Sequence, residues 1–313
     1  MKPNLISMAP LMQKHMDKIA EDFTIHKLPP AGAERDALLA KLGPNLRFLQ
    51  TTGHHGADAK LIDALPKLEI IACMGVGVDA VDLALAKKKG IAVTNTPDVL
   101  NDDVADLAIA LMLMTARRLA LSDRYVRDGR WQKGSQPLAV KASGKKLGIL
   151  GLGRIGKAIA KRATAFDMDI SYFGRKKQDG VKYRYYPDLV EMARDVDFLV
   201  VICPGGAETK GIVNKQVIEA LGPKGILVNV ARGSVVDEPA LVKALQDGKL
   251  GGAGLDVFAD EPNVPKELLG MDQVVLAPHV GSATTETRAA MNDLVVANLR
   301  AHLKGQKLVT PYF

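Results

Sequence analysis

Apolar positions along the 313 residues form two patterns: short unbroken runs, and longer stretches that repeat every three to four positions. From Lys146 onward the two alternate. Lys146–Leu150 predicts a buried strand, a glycine-rich turn follows, and the helical repeat then runs from about Ile155 to Phe166. Asp169–Phe173, Asp197–Cys203, Gly225–Val230, Gly252–Asp256 and Gln273–Ala277 predict further strands. Pro187–Arg194, Asn214–Leu221 and Glu238–Asp247 predict the helices between them. Strands alternating with helices of this length imply βαβ units, hence a parallel sheet covered by helices on both faces.

The first hundred residues repeat the theme with shorter pieces. Asn45–Thr51, Leu68–Cys73 and Ile91–Thr94 are the candidate strands, and Ala33–Lys41, Asp58–Leu65 and Val81–Lys89 the candidate helices. One long helical pattern, Asn101–Ala120, leads into the second unit, and Ala283–Leu303 closes the chain as an amphipathic helix. The expected fold is α/β, with two Rossmann-like doubly wound parallel-sheet domains. The chain is expected to cross between them near Asn95–Asp98 and Gly281–Thr285. That gives one domain of residues 1–97 plus 284–313 and another of residues 98–283. A cleft between two such lobes is the expected place for the active site.

Composition narrows the choice of partner. The net charge of +7 is compatible with nucleic acid, a membrane surface or an anionic small molecule. Aromatic residues are only 4%, too few for a stacking platform, and the basic residues form no long block. Lys87-Lys88-Lys89 and Lys145-Lys146 read as solvated ends of a helix and a strand. No nucleic-acid partner is expected, and an anionic cofactor with anionic substrates accounts for the charge. Apolar stretches such as Leu107–Thr115 and Phe198–Cys203 are too short to cross a bilayer, and no secretory leader is legible at the N-terminus. Two cysteines, Cys73 and Cys203, suit a reducing, cytoplasmic setting and are too few for a zinc site, so no metal is expected.

Gly151-Leu152-Gly153-Arg154-Ile155-Gly156 lies between a predicted strand and a predicted helix. In that context the first glycine allows a sharp turn, the second lets backbone approach a pyrophosphate, and the third lets helix pack close to strand. The helix N-terminus offers free N–H groups to phosphate. Leu152, Gly153, Arg154 and Ile155 are therefore the expected phosphate contacts. At the end of the next strand an NAD site carries an acid for the ribose 2′-hydroxyl. Here the chain reads Phe173-Gly174-Arg175-Lys176-Lys177. No carboxylate repels a 2′-phosphate, and Arg175 can pair with one, with Gly174 and Lys176 beside it, so NADP is the expected cofactor.

Three segments at predicted strand ends carry candidate chemistry: Val228–Glu238 with Arg232, Gly254–Pro262 with Asp256 and Glu261, and Leu276–Arg288 with His279. Reduction of a 2-oxo acid needs a cation to hold the carboxylate and polarise the carbonyl, which suits Arg232. It needs a proton donor near neutral pH, which suits His279, and a carboxylate to orient the imidazole and raise its pKa, which suits Glu261. Taken singly, each reads as well as a surface arginine, a turn histidine and a loop glutamate. Together, at the strand ends of one sheet, they read as a set.

With these motifs in view, the chain resembles the D-isomer-specific 2-hydroxyacid dehydrogenase family over essentially its full length. The resemblance rests on Asn95-Thr96-Pro97, Asp102-Asp103-Val104-Ala105-Asp106, GLGRIG, VNVARGSVVDE, GLDVFADEP and PHVGSATTETR, in that order. It implies that Arg232, Glu261 and His279 form the catalytic set. It also implies that the backbone N–H groups of Val76 and Gly77, in Gly75-Val76-Gly77, hold the substrate carboxylate along with Arg232 and His279. Such a turn can form an anion nest, and it reads equally as a strand-to-helix turn capped by Asp79. Met74 beside it is a candidate pocket wall. Cys203, Pro204, Thr209, Val230, Ala231, Arg232, Asp256, His279 and Gly281 fall where relatives contact the cofactor. After Pro204 the chain has Gly205-Gly206 where the family usually has a larger apolar residue and Thr.

Within the family the Gly174-Arg175-Lys176 turn is similar to NADPH-dependent glyoxylate/hydroxypyruvate reductases and to hydroxyphenylpyruvate reductases. The implied reaction is hydride transfer from NADPH to a small 2-oxo acid such as glyoxylate or hydroxypyruvate, giving the D-2-hydroxy acid. The resemblance makes residues 1–97 plus 284–313 a flavodoxin-like substrate-binding domain and residues 98–283 an NADP-binding Rossmann domain, in a homodimer. The end at Phe313 leaves no room for the appended regulatory domain of many phosphoglycerate dehydrogenases. Reduction of phenylpyruvates and a non-catalytic, dinucleotide-sensing corepressor role are the alternatives. Trp131 either reaches a partner's active site or packs the interface, and His54 and His55 either line the substrate entrance or stand idle.

Overall fold

A computed structural model describes residues 2–313. The chain divides into two compact units, one of residues up to Leu100 together with Ala283–Phe313, the other Asn101–Ser282.

In the first unit β1 (Asn4–Ser7), β2 (Thr24–Lys27), β3 (Phe48–Thr52), β4 (Ile70–Met74) and β5 (Ala92–Thr94) form one sheet in the order β2-β1-β3-β4-β5. Every pairing is parallel, and the order is that of flavodoxin-like domains. Helices α1 (Gln13–Asp22), α2 (Ala33–Leu42), α3 (Ala59–Asp63), α4 (Leu83–Lys88) and α12 (Thr285–Leu303) cover it. Alternate strand residues serve two apolar layers. Ile6, Leu49, Ile71 and Val93 pack with Leu61 and Ile62 of α3. Leu5, Phe48, Ile70 and Ala72 pack with Ile19 of α1 and Val295 and Leu299 of α12.

The sequence reading omits β1, α1 and β2. β1 is four residues long, and β2, Thr-Ile-His-Lys at the sheet edge, has no apolar run to reveal it. Helices α3 and α4 start on Asp58 and Asp82, whose carboxylates accept the amides of Leu61 and Leu85. The cap of α4 is thus Asp82 rather than the expected Asp79. Beyond β5 the C-terminal residues pair antiparallel with the sheet: Asn95 N–H donates to Thr310 O and Tyr312 N–H to Val93 O.

The second unit carries β6 (Lys146–Leu150), β7 (Asp169–Phe173), β8 (Arg184–Tyr186), β9 (Phe198–Val201), β10 (Ile226–Asn229), β11 (Gly252–Leu255) and β12 (Val274–Leu276). Their order is β12-β11-β10-β9-β6-β7-β8, all parallel, so the direction of winding reverses between β6 and β9. Its helices are α5 (Asn101–Arg117), α6 (Leu119–Arg127), α7 (Arg154–Thr164), α8 (Leu189–Asp195), α9 (Lys215–Leu221), α10 (Glu238–Gln246) and α11 (Lys266–Leu269).

The predicted helix Asn101–Ala120 is two helices, because Arg118 takes a left-handed conformation (φ 51°) that ends α5. Asp102 and Asp106 on α5 both pair with Arg162 on α7, which gives the acidic motif a structural use. β8 is absent from the sequence reading: three residues at a sheet edge are too few for periodicity to register. Among the described residues no helix is long and apolar enough to cross a membrane.

Candidate active site

Parallel strands place all their carboxyl ends on one edge, and ligands bind there, at the point where winding reverses. In the second unit that point is the turn after β6. Gly151 has φ +102°, and a Cβ there would lie 2.8 Å from the backbone of Cys203; a Cβ at Gly156 would lie 2.2 Å from Gly151 O. Neither position accepts a side chain. Gly153 contrasts with both. It precedes the first turn of α7, and nothing lies within 4 Å of where its Cβ would be. The turn is therefore tight beneath and open above, beside the unsatisfied N–H groups of a helix start, and it fits a dinucleotide pyrophosphate.

The neighbouring turn after β7 is tied to this one. Gln178 donates from Nε2 to Leu152 O (2.8 Å) and from its amide to Tyr172 Oη (2.8 Å), and Tyr185 Oη donates to Gly174 O (3.3 Å). Arg175, Lys176 and Lys177 on this turn are exposed. After β9, burial pushes the Cys203 thiol up to about 11, so it is a neutral wall. The Thr209 hydroxyl donates to Pro204 O at 2.6 Å, so its proton holds the turn that the sequence assigned to cofactor contact.

After β10, Asn229 fixes the arginine segment. It is buried, its Oδ1 accepts from Ala231 N (3.0 Å) and its Nδ2 donates to Arg232 O (3.0 Å). Arg232 is half-buried and donates from Nη1 to Ala231 O at 2.8 Å. Gly233 follows with no room at all: a Cβ there would sit 1.9 Å from the carbonyl of Phe258. This close approach brings the Arg232 segment against the one that leads to Glu261. Gly233→Ala is expected to destabilise the protein by about 1–3 kcal/mol or more in denaturant unfolding. Stability unchanged within about 0.5 kcal/mol would mean that the 258–259 backbone is free to yield.

Glu261 and His279 meet. Glu261 Oε1 accepts from Phe258 N (3.1 Å), and Oε2 lies 2.7 Å from His279 Nδ1. The imidazole side chain is 41% exposed and its carboxylate partner 18%. With Nδ1 committed to Glu261, Nε2 is the nitrogen left to deliver a proton. His279 itself has φ +53°, an uncommon conformation for histidine, and Asp256 over-determines it. His279 N–H donates to Asp256 O (2.8 Å), while the Asp256 carboxylate accepts from Val280 N (2.7 Å) and Gly281 N (2.9 Å). Burial, the largest effect, outweighs these hydrogen bonds and leaves the Asp256 carboxyl above its ordinary range.

Residues 109–281 match the sequence pattern described as D-isomer specific 2-hydroxyacid dehydrogenase, NAD binding domain. The chain belongs to the D-isomer specific 2-hydroxyacid dehydrogenase family. It is 54% identical over 304 residues to hydroxyphenylpyruvate reductase of Plectranthus scutellarioides, covering 97% of this chain and 96% of that one. It is 55% identical over 278 residues to a glyoxylate/hydroxypyruvate reductase of Arabidopsis thaliana, covering 89% of each. Among solved structures, the NADPH-dependent glyoxylate/hydroxypyruvate reductase of Sinorhizobium meliloti, in complex with NADP and malonate, superposes with a TM-score of 0.93. That pair is 45% identical over 99% of this chain and 97% of the other.

Family membership says which motifs recur, and the geometry says what several of them do here. Gly233, Asn229 and Asp256 position the arginine and histidine segments. Sequence reasoning assigned no role to the first two and read Asp256 as a cofactor contact. The remaining expected residues lie on other segments. Val76 and Gly77 follow β4 in the first unit. Trp131 follows α6 and is 68% exposed. His55 accepts or shares a proton with Thr52 Oγ1 at 2.8 Å and stacks edge-on with His54. Burial, with the His54 charge adding, lowers the His55 pKa.

Proposed function

We propose that this protein is an NADPH-dependent reductase of small 2-oxo acids, glyoxylate and hydroxypyruvate foremost, forming the D-2-hydroxy acid. The observation that carries the reading is the His279–Glu261 pair, 2.7 Å apart, on the same strand-end edge as the glycine-rich turn. NADPH, when bound, supplies the hydride to the keto carbon. Leu152, Gly153, Arg154 and Ile155 would hold its pyrophosphate, and Gly174, Arg175 and Lys176 its 2′-phosphate. Cys203, Pro204, Thr209, Val230, Ala231 and Gly281 would flank the rest of the molecule, with Asp256 toward its nicotinamide end.

Arg232 would take the substrate carboxylate and draw electron density toward the keto oxygen, and the amides of Val76 and Gly77 would take the same carboxylate. His279 Nε2 would deliver the proton to the keto oxygen, and Glu261 would hold the ring in orientation through Nδ1. One hydride and one proton then convert the keto group to a hydroxyl, and the imidazole is reprotonated from solvent.

Support for NADPH over NADH comes from the turn after β7, where Gly174-Arg175-Lys176-Lys177 directly follows the strand in place of an acid and none of Arg175, Lys176 and Lys177 has an acidic partner among the described residues. Arg175→Ala is expected to raise the KM for NADPH about tenfold or more and to leave the KM for NADH within about twofold. Equal effects on both cofactors would remove the specificity argument. Exposed apolar side chains after α5, among them Leu119, Val126, Trp131 and Leu138, support a homodimer, and two buried cysteines that form no disulfide support a cytoplasmic setting.

The test is oxidation of NADPH and NADH against glyoxylate, hydroxypyruvate, pyruvate and hydroxyphenylpyruvate. Fast turnover of the first two with NADPH is the expected result. Preference for hydroxyphenylpyruvate would move the substrate class toward that of the Plectranthus relative, and cofactor binding without turnover would favour a sensing role.

A further inference from the structure

Val76 and Gly77 can bind an anion only if their N–H groups point at it, and backbone this rich in glycine does not hold a direction by itself. The structure supplies the constraint from behind. Gly75 O accepts from Thr96 N at 2.9 Å, and Gly75 N–H donates to Thr96 Oγ1 at 3.0 Å. Val76 O accepts from Asn95 Nδ2 at 2.9 Å. In a trans peptide the C=O and the following N–H point opposite ways. Pinning Gly75 O and Val76 O on residues 95–96 therefore turns the next two amides, Val76 N–H and Gly77 N–H, away from them together. No acceptor among the described residues takes either amide.

Asn95 is itself held. It is buried, its backbone N–H donates to Thr310 O (3.3 Å), and its O accepts from Thr310 Oγ1 (2.6 Å). Thr310 is fixed in turn by Asn298 of α12, which is fully buried. Asn298 Nδ2 donates to Thr310 Oγ1 (2.8 Å) and to Leu294 O, and its Oδ1 accepts from the amides of Val309 and Thr310. No buried side-chain nitrogen or oxygen of Asn95, Thr96, Asn298 or Thr310 is left without a hydrogen-bond partner, the condition under which a buried polar network rigidifies its surroundings.

We infer that Asn95 is a positioning residue for substrate binding: it aims the Val76 and Gly77 amides, and Thr310 in the C-terminal segment, locked by Asn298, sets Asn95. This rests on the reading of the nest as a substrate carboxylate site. The consequence is a remote control of substrate KM from a segment more than two hundred residues away in sequence, with no role in hydride or proton transfer.

Asn95→Asp and Thr310→Val test it, with Thr310→Ser as the conservative control. Asn95→Asp keeps the shape but sets an oxygen against Val76 O. At neutral pH it should raise the KM for the 2-oxo acid about tenfold or more, the loss of one charge-assisted hydrogen bond, while the KM for NADPH holds and kcat falls by less than about threefold. Measured as a ratio to the unaltered enzyme at each pH, that KM defect should shrink as pH falls, because the introduced carboxyl, once protonated, can donate to Val76 O again. Thr310→Val should raise the same KM severalfold, and Thr310→Ser should restore it. Variants that keep a native KM while active would overturn the inference and leave the reductase reading standing. So would a loss of kcat and of both KM values together in Thr310→Val. Failure of the unaltered protein to turn over any 2-oxo acid would instead sink the reductase reading, and this inference with it.

Discussion

His279→Ala is expected to lower kcat by about 10²–10⁴-fold while NADPH binds with near-native affinity. The ring is exposed and its loss removes no core packing. The turn that carries it is held by backbone contacts to Asp256 that the substitution leaves in place. What disappears is Nε2, the proposed proton source, which the Glu261 contact to Nδ1 leaves uncommitted. The check is steady-state kcat beside a direct titration of NADPH binding. A variant with near-native kcat would mean that the keto oxygen takes its proton from another group. Loss of cofactor affinity in parallel with kcat would mean that the turn itself had collapsed.

Arg232→Ala is expected to reduce kcat/KM for the 2-oxo acid by on the order of 10³-fold, with Arg232→Lys recovering only part of the loss. In the proposed reaction the guanidinium would offer two parallel donors to the carboxylate and a further N–H to the keto oxygen, which a point charge on a flexible stem cannot match. Because Asn229 holds the Arg232 backbone through its carbonyl, the alanine variant should keep the loop and lose only the side chain's work. Full recovery by lysine would show that charge alone suffices and that the fork geometry is idle. A native Tm with this kinetic loss would separate the chemical effect from misfolding.

The parts of the fold that could be read in advance are those whose signal is local. Strands such as Phe198–Val201 are continuous apolar runs because both faces of a parallel sheet are covered, and this one lies within the predicted Asp197–Cys203. The losses are equally physical. β2 and β8 are short edge strands with half-exposed residues, so nothing forces an apolar run on them. The break at Arg118 is a single backbone rotation inside a pattern that stays helical on both sides.

The site divides the same way. Histidine, arginine and glutamate announce chemistry by residue type, and the glycine-rich turn announces itself by spacing. Gly233, Asn95 and Gln178 do not, because each acts through a partner chosen by tertiary structure: the Phe258 backbone, Val76 O, Leu152 O; Asn229 acts locally, on the Arg232 carbonyl, through a loop shape that residue type does not announce. Nothing in an isolated Asn or Gly distinguishes such a partner from solvent.

The antiparallel pairing of Thr310–Tyr312 with the end of β5 has a bearing on colloidal behaviour. A five-stranded open sheet ends in a row of unpaired backbone groups that can template a strand from another molecule. Here one rim of that sheet is occupied by the chain's own C-terminal segment, and the residue opposite Thr94 is Pro311, which has no N–H to pass the ladder on. The segment that steadies the sheet therefore also terminates it, and β5 offers a neighbouring molecule little purchase for edge-to-edge association.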